Sequence, residues 1–126
     1  MFNPDKYLTV RWQMGGRVYP VLDCYGLVHE VRRDLGLPEW PLFESVTKDG
    51  RQMADFCDEY RKQIKPCQPS PGAVAACYSG GLIGHLAVVV EINGELMAAE
   101  SNPKRNITFM PMARFERRFQ KVEYYQ

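Results

Sequence analysis

Two residues of this chain can do chemistry together if the fold lets them meet. One is Cys24, in the run Asp23-Cys24-Tyr25-Gly26-Leu27-Val28, and the other is His85, which follows Gly84 at the head of an apolar run. A cysteine opening a helix, with a histidine elsewhere in the chain, is the minimum equipment for thiolate catalysis. The thiolate is the nucleophile, and a helix N-terminus favours it because exposed N–H groups and the macrodipole stabilise negative charge there. The alternative for Cys24 is a small buried hydrophobe, since free cysteine is among the most buried residue types.

Positioning these two groups falls to the elements around them. Leu27, Val28, Val31 and Leu35 follow Cys24 at steps of three and four, one stripe of a helix, with Asp23 as N-cap and Gly36 and Pro38 as the stop. Glu30, Arg32, Arg33 and Asp34 fall mostly on the other side, and His29 is expected as a solvated surface histidine. A second helix is expected over 51–65, with Asp49 as a cap and Pro66 as a stop. Met53, Phe56, Cys57, Tyr60 and Ile64 form its core stripe. Strands are expected over 73–78, 86–92, 95–101 and 107–110, then a short helix over 112–119 and an edge strand over 122–125. Helices first and an antiparallel sheet afterwards argue for an α+β domain spanning 1–126.

The pair Asn93-Gly94 fixes a register. A type I′ turn needs positive φ at both central residues, which Asn-Gly tolerates best. Residue 92 then faces 95, 90 faces 97, 87 faces 100 and 85 faces 102. Alternation puts His85, Ala87 and Val89 on one face with Ala98, Glu100 and Asn102. Either Glu100 or Asn102 is therefore placed to accept a hydrogen bond from one imidazole nitrogen and leave the other to take the thiol proton.

Composition narrows the classes. The chain has 126 residues, 45% of them hydrophobic and 25% charged, with a net charge of +1. Such a chain supports one core without staples. That balance gives no case for nucleic acid or an anionic membrane, and the basic stretch 114–121 reads as a solvated helix face. The longest apolar run, 86–90, is too short to cross a bilayer, and the N-terminus has no apolar export core. The cysteines Cys24, Cys57, Cys67 and Cys77 have no metal-ligand spacing, so neither a metal nor another cofactor is expected.

Four motifs in order carry a resemblance. Lys6-Tyr7-Leu8-Thr9-Val10-Arg11-Trp12 with Gly15-Gly16-Arg17 comes first, then Asp23-Cys24-Tyr25-Gly26-Leu27-Val28 with Leu35-Gly36-Leu37-Pro38. Ser70-Pro71-Gly72-Ala73-Val74-Ala75 and Gly84-His85-Leu86-Ala87-Val88-Val89-Val90 complete the series. Together they resemble an NlpC/P60 cysteine peptidase domain, most closely its bacteriophage tail-tip branch. The resemblance implies a papain-like fold and amide hydrolysis by Cys24 and His85, with a peptidoglycan stem peptide as substrate. It also implies a place in the virion tail beside other tail-tip proteins, and action at the bacterial cell wall. Trp12 stands where many relatives have a tyrosine bordering the active site, so Trp12, Asp23 and Tyr25 are expected to line the substrate groove. Gly15 and Gly16 are expected to make a tight turn beside that groove. The chain departs from the family at Ala98, at or near the usual place of the residue that orients the histidine. That departure leaves open an inactive structural tail-tip subunit of the same fold. An interbacterial toxin amidase is the other alternative.

Overall fold

The structure, a computed structural model, describes residues 2–42 and 52–126. The expected cap Asp49 and helix start Arg51 lie outside the described residues, as do the side chains of Met53 and Phe56. In chain order the elements are β1 (Arg17–Val18), β2 (Val21–Leu22), α1 (Cys24–Asp34), α2 (Gln52–Tyr60), β3 (Val74–Ser79), β4 (Leu82–Ile92), β5 (Glu95–Asn102), β6 (Asn106–Pro111), α3 (Met112–Glu116) and β7 (Lys121–Tyr125). Strands β3 to β7 form one antiparallel sheet in the order β6-β5-β4-β3-β7, while β1 and β2 make a separate short hairpin. The architecture is α+β.

Alternation along the strands divides the core in two. Val74, Ala76, Leu86, Val88, Val90 and Ala99 face α1 and pack with Cys24, Leu27, Val28 and Val31. On the opposite face Ala73, Ala75, Ala87 and Ala98 are small enough to let Phe115 of α3 settle fully buried among them.

The α1 helix follows its expected stripe, but its polar side is covered too. A 3-10 turn, Pro4–Tyr7, lies along it: Lys6 Nζ bonds Glu30 at 2.7 Å and Asp34 at 2.8 Å, and Tyr7 Oη donates to Asp34 at 2.7 Å. Every residue from Cys24 to Arg32 is therefore buried, and His29 is buried rather than solvated as the helix pattern implied. Arg32 remains bonded inside, donating to the carbonyls of Gly72 and Pro38 and stacking on Trp40.

The Asn93-Gly94 turn has φ of 53° and 80°, and β4 and β5 pair from Ile92 opposite Glu95 to Val88 opposite Ala99. There the β4–β5 ladder stops, so the expected pairs 87 with 100 and 85 with 102 are not made. β4 also begins earlier than expected, at Leu82, because Gly80 and Gly81, both at positive φ, turn the chain from β3. Along this stretch β4 pairs only with β3, with an irregularity after Cys77 opposite His85. β5 continues with β6 as far as Asn102 opposite Asn106. The two strands part company at the end that carries His85 and Glu100.

Candidate active site

Cys24 is the first residue of α1, and the helix start is tightly clamped. Asp23 caps it by accepting the Gly26 N–H at 2.8 Å, and its second oxygen accepts the Gly15 N–H at 3.0 Å and Arg17 Nη1 at 2.5 Å. Arg17 also donates to the Leu42 carbonyl at 2.7 Å. The glycine turn presses directly on the helix: a Cβ at Gly26 would sit 2.2 Å from the Gly16 carbonyl oxygen, so only glycine fits there. Asp23 is the N-cap as expected, and its carboxylate is also engaged by the glycine turn and a buried arginine.

His85 and Glu100 meet across the gap between β4 and β5. Imidazole Nε2 lies 2.9 Å from Glu100 Oε2, in a site where both side chains are buried. Asn102, the other candidate, pairs through its backbone with Asn106 on β6, because the ladder that would have carried it opposite His85 ends first. Nε2 is the ring nitrogen that faces Glu100, and Nδ1 is turned away from that carboxylate.

A third group joins from the exposed basic stretch 114–121. Arg118 Nη1 lies 2.5 Å from the other carboxylate oxygen, Oε1. Phe119 stacks on the His85 ring, centroids 6.0 Å apart and 18° between planes, and the Arg118 guanidinium lies 5.1 Å from the Phe119 centroid. The basic residues of 114–121 are exposed as expected, but the helix ends at Glu116 and the turn that follows brings Arg118 to the buried carboxylate. Nothing in the local sequence distinguishes this arginine from Arg114 or Arg117. Burial pushes the Glu100 carboxyl up, but the hydrogen bonds and charges of His85 and Arg118 outweigh it and hold the group below the usual carboxylate range.

Ser101 ties the helix start to this end of the sheet. Its buried hydroxyl donates to the Leu22 carbonyl at 2.7 Å, one residue from Glu100 on one side and two from Cys24 on the other. Cys24 packs on the α1 face with Leu86 and Val88, while His85 alternates with them and turns toward Phe119. Thiol and dyad thus lie toward the same end of the sheet but on different faces of it, Cys24 among the α1-face side chains and His85 with Phe119 on the other.

The remaining expected groove residues are less alike than the sequence implied. Trp12 is half-buried, and its backbone N–H donates to Asn106 Oδ1 at 2.8 Å. Tyr25, expected to line the groove, is buried: its hydroxyl donates to the Pro41 carbonyl, and Arg17 lies over its ring. Burial raises that phenol well above its usual range. Among the described residues, no three His, Cys, Asp or Glu side chains stand close enough to share a metal ion, and no helix is long and apolar enough to cross a membrane. Compared with models of protein families, with curated proteins and with solved structures, the chain matches none.

Proposed function

We propose that the chain is a papain-like cysteine peptidase or amidase of NlpC/P60 type, acting on peptidoglycan stem peptides as part of a bacteriophage tail tip. The observation that supports this reading is the His85–Glu100 pair, made beyond the end of the β4–β5 ladder, at the end of the sheet that Ser101 ties to the segment before α1. Thiolate catalysis needs a carboxylate-oriented histidine within reach of a cysteine at a helix N-terminus, so this reading requires the Cys24 thiol to reach His85 from the α1 face of the sheet. The ordered motifs around Cys24 and His85 supply the substrate class and the tail-tip setting.

In this reading the Cys24 thiol passes its proton to His85 Nδ1, and the thiolate attacks a peptide carbonyl carbon. Asp23 holds the Gly26 N–H, so the developing oxyanion is met by the Cys24 backbone N–H at the helix start. The carbon–nitrogen bond then breaks as the imidazolium gives its proton to the leaving amine. Water, deprotonated by His85, attacks the thioester and releases the acid and the Cys24 thiol. Glu100 accepts from Nε2 throughout, fixing the tautomer and stabilising the imidazolium.

Digestion of purified peptidoglycan tests the reading. The protein is expected to release soluble peptide-bearing fragments, and Cys24→Ala to release none while keeping the circular dichroism of the parent. Substituting this small side chain is expected to cost only about 1 kcal/mol of stability. A folded parent protein that releases nothing from walls of several stem-peptide types would contradict the enzyme reading and favour the structural subunit.

A further inference from the structure

The Glu100 carboxylate is shared: one oxygen serves His85 and the other serves a cation that is not part of the cysteine–histidine pair. Glu100 has no exposed surface, whereas the Arg118 side chain is 39% exposed. A fully buried carboxylate with only a histidine for company has no permanent counter-charge, because the imidazole is neutral over half of its titration. Arginine stays protonated at every working pH and so keeps the carboxylate ionised whichever state His85 occupies.

We propose that Arg118 is a positioning residue that sets the protonation equilibrium of His85 through Glu100. This rests on the functional reading above only for its consequence at Cys24. The effect on His85 follows from the geometry alone. Two consequences have opposite character. By keeping Glu100 ionised, Arg118 secures an acceptor for Nε2–H and hence leaves Nδ1 as the basic nitrogen. By competing for the same carboxylate and adding positive potential, it lowers the affinity of the pair for its last proton. Phe119, stacked on the imidazole and lying under the guanidinium, keeps both groups in line with the carboxylate.

The other titratable groups around the ring are few. Cys77 stands opposite His85 on β3, and Tyr124 of β7 packs on the same face with its hydroxyl bonded to Glu116 of α3. Cys24 belongs to the α1 face, on the other side of the sheet. Among these side chains only Arg118 carries a permanent positive charge, so its removal has a defined sign. The imidazolium gains stability, and the His85 titration moves to higher pH.

The experiment is an NMR titration of the His85 ring in the parent protein, Arg118→Gln and Arg118→Lys, with the pH dependence of Cys24 alkylation measured on the same samples. Arg118→Gln is expected to raise the His85 pKa by about half a unit or more, and added salt to shrink the difference because Arg118 is partly exposed. Arg118→Lys, which keeps the charge, is expected to restore the parental value within about 0.2 unit. A His85 pKa unmoved in Arg118→Gln, or moved equally by Arg118→Lys, overturns the proposal, since a purely structural role would not separate the two variants. The alkylation arm distinguishes the two failures. If His85 shifts as expected while Cys24 titrates as an ordinary thiol in all three proteins, Arg118 acts as proposed and the peptidase reading fails.

Discussion

Replacing Asp23 with alanine would remove the carboxylate that pairs with buried Arg17 at the point that places Cys24. Both partners are nearly inaccessible, with side-chain exposures of 5% for Arg17 and 6% for Asp23, so solvent gives little relief to the cation left behind. Breaking a buried pair by removing one member costs about 3–5 kcal/mol, and losing an N-cap costs about 1 kcal/mol. These overlap, since one carboxylate does both jobs, so Asp23→Ala is expected to cost about 4 kcal/mol. That is a large share of the roughly 5–15 kcal/mol a domain holds in reserve. Urea unfolding followed by tryptophan fluorescence measures it. The companion variants decide the cause. Asp23→Asn keeps an acceptor for the Gly26 N–H but loses the charge, and is expected to cost most of the same amount. Arg17→Met together with Asp23→Ala removes the buried cation along with its carboxylate partner and is expected to be more stable than Asp23→Ala alone. A cost below about 1 kcal/mol for Asp23→Ala, or no recovery in the double variant, would refute the clamp reasoning.

Two further outcomes follow from close contacts. Gly26→Ala drives a Cβ to 2.2 Å from the Gly16 carbonyl oxygen, a backbone atom that cannot swing aside, and is expected to cost about 1–3 kcal/mol and lower Tm by at least about 4 °C in a thermal melt. Glu100, held below the usual carboxylate range in the fold, contributes stability that is present above the unfolded carboxylate pKa of about 4.3 and lost as pH falls through its folded value. Unfolding free energy should therefore drop between about pH 5 and 3, and Glu100→Gln should flatten that drop.

Local physics made part of this legible from sequence. Asn93-Gly94 wrote the hairpin register because positive φ at both positions admits few residue pairs, and from it came the shared face of His85 and Glu100. The stripe from Cys24 to Leu35 wrote α1 and its buried side. What stayed hidden depends on distant chain. Lys6 and Tyr7 cover the polar side of α1, so periodicity alone left His29 outside. The divergence of β4 from β5 arises where β4 stays with β3 beyond Val88 and β5 stays with β6, and no nearby residue announces it. That divergence is also what separates Glu100 from Asn102 as the partner of His85. Arg118 looked like one basic residue among several because its meaning lies in a carboxylate on another strand.

The central claim is that Cys24 and His85 act as one thiolate–imidazolium pair, and the pH dependence of Cys24 alkylation tests it most directly. Cys24 is 2% exposed, so burial alone would raise its thiol pKa, as it does for half-buried Cys67. Pairing with His85, as proposed, would work in the other direction. Iodoacetamide labelling, mapped residue by residue by mass spectrometry, is expected to show Cys24 reacting well below the ordinary thiol value of about 8.5, with that low-pH reactivity lost in His85→Ala. A Cys24 that titrates at or above about 8.5 in both proteins, while Cys67 labels faster, would contradict the account.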